Sequence, residues 1–173
     1  MLPTMRPTLY TVDHPGPGRL STMAKPRGDD RLADEMAALK DAGVDILVCA
    51  LSIPELDELG LAAEGQAATG AGLQFVHLPI PDLGVPDVAA ITPTLQRLAA
   101  RLREGRSIVT HCRCGIGRSS LLATALLVIN GVEVDDAWSR LTHARQHDVP
   151  DTPEQRQWPV QLTGRAWKSD STE

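Results

Sequence analysis

The stretch "SIVTHCRCGIGRSSLLATALLVIN", Ser107–Asn130, changes character twice. Its apolar start reads as a strand and its glycine-rich middle as a turn. The small and apolar run beyond Ser120 reads as a buried helix from Gly117 to Asn130, stopped by Asn-Gly. A short strand-to-helix loop can curl its amides around one tetrahedral anion, while the helix N-terminus adds donors and a favourable dipole. The candidate phosphate-binding residues are therefore Arg113, Cys114, Gly115, Ile116, Gly117 and Arg118. Gly115 and Gly117 permit the turns, Ile116 forms a wall, and Arg118 offers a planar fork for two oxygens. Arg113 adds positive charge, its side chain facing either solvent or substrate. The same donors favour the thiolate of Cys112, a nucleophile at neutral pH.

Outward from this stretch, strands and helices alternate. "TLYTV" reads as a first strand, and the Gly and Pro residues after it as a turn before Leu20 and Ser21. Leu32, Met36 and Leu39 mark a helix ending near Gly43, and "VDILVCAL", Val44 to Leu51, is continuous enough for a strand covered on both faces. A polar connection with Glu55, Asp57 and Glu58 follows, then a strand in "GLQFVHLPIPD" ending at Pro79 or Pro81. Leu95, Leu98 and Leu102 place a helix over Thr92 to Arg103, with Asp87 read as a cap for a helix start near Val88. Beyond the buried helix come an amphipathic segment with Trp138 and Leu141 and a last helix from Thr152, disrupted at Pro159. This order predicts an α/β fold with a twisted, mainly parallel central sheet flanked by helices.

The length of 173 residues fits one domain, taken as residues 1–163, with 164–173 as a flexible C-terminal tail. A net charge of -5 gives no nucleic-acid footprint, although local donors can still hold a small anion. Three cysteines, at 49, 112 and 114, are too few for a secreted disulfide framework. Prolines at 3, 7, 15 and 17 argue against a signal peptide, and "SLLATALLVI" falls short of the about 20 residues of a membrane span. A cytoplasmic protein without stable membrane association is expected. His111, Cys112 and Cys114 do not form a tetrahedral zinc set, the other histidines are scattered, and the GxxxxGK[ST] pattern is missing. No metal or cofactor is expected.

"HCRCGIGRS", with His111, Cys112, Gly115, Arg118 and Ser119, resembles the HCxxGxxRS signature of cysteine-based protein tyrosine and dual-specificity phosphatases. The wider resemblance runs from about Leu32 to Leu162. It implies a dual-specificity phosphatase-like sheet with the loop at the bottom of an anion pocket and a movable acid loop above. It also implies that Asp82, in the IPD motif, protonates the leaving oxygen, and that His111 orders the loop and tunes Cys112. Gln155 then matches the water-positioning glutamine, with Gln157 as the weaker substitute and a surface role as the other reading. The resemblance further marks Cys49 as a possible resolving thiol for oxidised Cys112, a buried core cysteine being the other reading. Chemistry agrees on the acid, because an alkoxide or phenoxide departs more easily when protonated, and Asp82 can then take a proton from water in the second step. Ser119 either caps the helix, donates to the departing thiolate, or does both. The expected activity is hydrolysis of phosphomonoesters through a cysteinyl-phosphate intermediate. The substrates are a phosphorylated protein, with phosphotyrosine and also phosphoserine or phosphothreonine as targets, or a small phosphomonoester. A rhodanese-like thiol sulfurtransferase and a noncatalytic phosphate-recognition module are the alternatives.

Overall fold

The computed structural model describes residues 6–163, and the tail expected at 164–173 lies outside the described residues. Five strands form one sheet in the order β1-β2-β5-β3-β4. They are β1 (Tyr10–Thr11), β2 (Arg19–Met23), β3 (Ile46–Cys49), β4 (Gln74–His77) and β5 (Ser107–His111). β1 pairs antiparallel with β2, and every other pairing is parallel. Parallel neighbours need crossovers, and the helices supply them. α1 (Leu32–Asp41) joins β2 to β3, α2 (Ile53–Glu58) and α3 (Glu64–Gly70) join β3 to β4, and α4 (Val88–Arg103) joins β4 to β5. After β5 come α5 (Arg118–Ile129), α6 (Val134–Arg145), α7 (Pro153–Gln157) and a 3-10 turn over Trp158–Leu162.

Side chains alternate across the sheet with the period of two that strands impose. Ile46, Val48 and Ile108 join an apolar cluster with α4, α5 and α6 on one face. Leu47, Cys49 and Val109 join Met36, Leu39 and Ala68 of α1 and α3 on the other. Every residue of α5 is buried, as its lack of a polar face requires. Its Leu121, Leu122, Leu126 and Leu127 each contribute about 1.5–3 kcal/mol by leaving water. The helix that leads out of the signature is thereby fixed in the centre of the molecule.

The elements depart from the sequence expectations at two places. The turn before Leu20 opens directly into β2, whose polar Ser21 and Thr22 are buried beside β5. The polar connection after Leu51 is two helices, the first opened by a capping box between Ser52 and Glu55. α4 starts at Val88, as the cap reading of Asp87 expects, and the Asp87 carboxylate accepts from the Ala90 N–H. The last helix ends at Gln157, just before Pro159 as expected, and a 3-10 turn follows it.

Candidate active site

The loop between β5 and α5 has its carbonyls tied from outside. The Arg113 carbonyl accepts from the Lys25 N–H at 3.1 Å, and Arg145 donates to the Cys114 carbonyl at 3.3 Å and the Gly115 carbonyl at 3.2 Å. Arg145 is itself stacked over the Tyr10 ring, 4.1 Å from its centroid. In a trans peptide the N–H points opposite to the C=O, so each tied carbonyl turns the next amide inward. Gly115 adopts φ +73°, and a Cβ there would collide with the Met23 backbone. Gly117 has ordinary backbone angles, but a Cβ would run into the Asp151 carboxylate.

Cys112 lies at the floor of this cup, buried and 3.3 Å from the Ser119 hydroxyl. Burial works against its thiolate. The Ser119 hydroxyl and N–H, the Gly115 N–H and the Arg118 charge outweigh burial and hold the thiol below its ordinary pKa. A 230 Å³ cavity opens above the sulfur, bordered by Asp82, Leu83, Arg113, Ile116, Arg118 and Asp151.

Arg118 is buried and fixed by Glu55, which accepts from Nη1 at 2.7 Å and from Nη2 at 3.0 Å. Nη1 also donates to the Ile80 carbonyl at 3.0 Å. The guanidinium is thus held by one fork, Nε has no hydrogen-bond partner among the described residues, and the residue borders the cavity. Burial opposes its charge, yet Glu55, the Cys112 sulfur and Asp82 raise its pKa further. Asp82 is 64% exposed, with Oδ1 at 3.3 Å from Nη2. The next residue, Leu83, has φ +61°, a left-handed conformation that costs a branched residue about 1–2 kcal/mol. The Gln155 amide donates to the Gly84 carbonyl at 3.2 Å and the Trp158 indole to the Pro86 carbonyl at 2.9 Å, which tethers the strained acid loop to the C-terminal segment.

Behind the sulfur, His111 places Nδ1 at 3.1 Å from the Cys112 carbonyl and Nε2 at 2.5 Å from the Glu64 carboxylate. Burial alone would strip the imidazole of its proton, but Cys49 and Glu64 overcome it and raise the pKa well above the ordinary value. Cys49, Glu64 and His111 bring three ligand atoms within 4.8 Å of one another. With the imidazole and the carboxylate already hydrogen-bonded to each other, the cluster is an ion pair with a thiol beside it rather than a ligand set.

The structure brings Cys112, Arg118, Asp82 and Ser119 together, with the loop residues 113–117 around them. Gln155 does not border the cavity: it is fully buried, and its carbonyl accepts from the Asp151 and Thr152 N–H groups. Gln157 is exposed. Arg113 is half-exposed and turned toward Glu58 at 3.4 Å and Glu55 at 3.5 Å. Cys49 pairs in register with His111 and packs into the apolar cluster on the opposite face from that of Cys112, whereas Cys114 is exposed. Sequence reasoning passed over Glu55, Glu64, Arg145 and Asp151. Only Glu55 carried a local signal, since Ser-Ile-Pro-Glu is a helix-start pattern. Among the described residues, no helix is long and apolar enough to cross a membrane.

Comparison with known proteins bears directly on this geometry. Residues 21–132 match the family model described as "Polymorphic toxin system, DSP-PTPase phosphatase". A cyclin-dependent kinase inhibitor 3 from Rattus norvegicus is 40% identical over 57 residues, which cover 33% of this chain and 27% of the rat protein. The match thus spans under a third of the curated relative. The crystal structure of kinase associated phosphatase with its catalytic-site cysteine replaced by serine superposes with a TM-score of 0.79 at 19% identity, covering 98% of this chain and 99% of that one. Tk-PTP in its active form gives a TM-score of 0.68 at 24% identity, over 95% and 99% of the two chains. With a family match across most of the sheet and the whole signature loop, the chain belongs to the DSP-PTPase phosphatases of polymorphic toxin systems.

Proposed function

We propose that the protein hydrolyses phosphomonoesters by a covalent mechanism on Cys112, within one phosphatase domain over residues 1–163. The observation that carries this is the Cys112 thiol, held below its ordinary pKa under a cavity that also presents Arg118 and Asp82. The thiolate attacks phosphorus, the ester P–O bond breaks, and Asp82 gives its proton to the leaving oxygen. The Nε edge of Arg118, the amides of residues 113–118 and the α5 dipole stabilise the oxygens of the transition state. His111 supports the loop from behind. Water then cleaves the S–P bond, with Ser119 donating to the departing sulfur, and Gln155 serves this step by holding the backbone around Asp151. Cys49 is the candidate resolving thiol, and no metal or cofactor takes part.

The substrates that fit are phosphotyrosine, phosphoserine or phosphothreonine in proteins, or a small phosphomonoester. Three free cysteines suit a reducing compartment and support a cytoplasmic setting, without nucleic-acid or stable membrane partners. Initial rates with aryl phosphates under reducing conditions test the reading. Cys112→Ser is expected to abolish turnover while retaining ester binding, and Arg118→Lys to weaken both. Asp82→Asn is expected to slow poor leaving groups most. Full turnover by Cys112→Ser would reject covalent catalysis, and persulfide formation from thiosulfate without phosphate release would select a sulfurtransferase.

A further inference from the structure

The two edges of the sheet are finished differently. β1 is two residues long and lies between Pro7 and Pro15, whereas β4 is four residues, Gln-Phe-Val-His, without the lysine or proline that commonly blunts an edge. The Gln74 N–H donates to the Asp45 carbonyl and the Leu78 N–H to the Cys49 carbonyl, so the even-numbered residues of β4 face β3. Phe75 and His77 turn their N–H and C=O groups the other way, where no strand pairs with them among the described residues. Beside this edge runs a groove of 530 Å³, lined by Val76, Leu78 and the buried Leu98, with Arg97 and Arg101 of α4 exposed along it. Through the shared Gln74 and Arg101 it continues into a 340 Å³ cavity that Lys40 and Arg106 border. The acids that line these spaces are already engaged: Glu104 pairs with Arg101 at 2.9 Å, and Asp45 accepts from the Ser107 N–H at 2.8 Å. Among the described residues Lys40 reaches only the Gly72 carbonyl, Arg97 only the Thr94 hydroxyl, and the Arg106 guanidinium has no partner. In a chain of net charge -5 this is a local excess of cations.

We propose, on the basis of the phosphatase reading above, that the β4 edge docks an extended acidic segment of a phosphoprotein substrate, apart from its phosphorylated residue. The edge calls for a polypeptide backbone, because Phe75 and His77 present donors and acceptors together, whereas a phosphate chain would answer the cations but not the carbonyls. Alternate side chains of the added strand fall on the groove, where Val76, Leu78 and Leu98 receive apolar groups and Arg97, Arg101 and Arg106 meet acidic ones. A second copy of this chain would set the same cations against these, which their repulsion disfavours. β5, β3 and β4 lie side by side with His111, Cys49 and His77 in register. An added strand therefore sits about 14 Å from β5, three strand spacings away. One substrate can fill both the groove and the cavity over Cys112, with about five extended residues between them.

The probe is a fluorescent peptide of about eight alternating Glu and Val residues, enough to span β4 at about 3.3 Å per residue. Anisotropy with the full chain is expected to show binding that weakens with salt, and that weakens about 10-fold in the double variant Arg97→Glu/Arg106→Glu. N-methylating one alternate set of the peptide's amides should abolish binding and methylating the other set should not, since only one set faces β4. Joined through a short Gly-Ser linker to a phosphotyrosine peptide, the same segment should lower KM about 10-fold with kcat unchanged, and the double variant should lose that gain. The double variant should hydrolyse 4-nitrophenyl phosphate at the wild-type rate, which certifies its fold. Absent binding, or a KM that tethering leaves unchanged, overturns the proposal. Binding that survives both methylations makes the groove a general polyanion surface and also overturns it, as does a dimer of the free protein that excludes the peptide. Peptide binding by a wild-type protein that hydrolyses no phosphate ester leaves the edge a peptide site and overturns the phosphatase reading alone.

Discussion

Glu55 binds the guanidinium that is to bind the substrate, and its ionisation follows from that contact. The hydrogen bonds from Arg118 dominate and, against the opposing effect of burial, bring its pKa from the usual 4.5 to about 2. A carboxylate with a depressed folded pKa contributes stability that is fully present above its unfolded value and is lost as pH falls through the folded one. The window is therefore pH 4.5 to about 2. Urea denaturation across that range is expected to show a steep loss for the wild type and a shallower one for Glu55→Gln, which has no proton to gain. Parallel curves for the two proteins would remove Glu55 from the account. Arg113 reaches the same carboxylate from a half-exposed position, so its contribution is screened and smaller.

At the scale of elements, α3 is anchored to the end of β5 by the Glu64–His111 pair, both members buried. Removing one partner of a buried pair costs about 3–5 kcal/mol, so Glu64→Gln is expected to lower the urea midpoint markedly. The imidazole gains a proton on folding, so its stabilisation is complete below pH 6.5 and declines as pH rises through the raised folded value. Stability measured from pH 6 upward should fall in the wild type and stay flatter in Glu64→Gln. Of the two helices bearing these acids, α2 carried only its start pattern at Ser52–Glu55, and α3 carried no signal. α2 and α3 are too short to show an apolar stripe, and their glutamates face inward because arginine and histidine receive them there, which hydrophobic periodicity cannot register. The strand "SIVTH" and the helix after it were legible because both are buried on all sides and read as continuous apolar runs. β2 escaped notice for the opposite reason, since Arg19, Ser21 and Thr22 break the apolar run while the ladder with β5 holds them in place. The signature placed Cys112, Arg118 and Ser119. Long-range packing brought in Arg145 and Asp151, and no spacing rule announces it.

In the whole molecule the cavity is lined from the loop after β4, the loop after β5 and Asp151 before α7, with the acid loop tethered to Gln155 and Trp158. Trp158→Phe keeps the apolar ring but deletes the indole hydrogen bond to the Pro86 carbonyl. It is expected to cost about 1 kcal/mol of stability and to slow poor leaving groups more than good ones, because Asp82 loses its fixed approach. Thermal melts and a leaving-group series measure the two effects, and an unaltered leaving-group dependence would show that the tether supports packing alone. The family match ends at residue 132, whereas Asp151, Gln155 and Trp158 follow it. During synthesis, a ribosome-bound chain can therefore display the complete signature, thiol and arginine included, before the residues that hold the acid loop have left the exit tunnel. Such a nascent chain carries the motif without the core residues Trp138 and Leu162 that pack around α5, and without Gln155 and Trp158 that hold the acid loop, so the parts that position the acid are made after the thiol it serves.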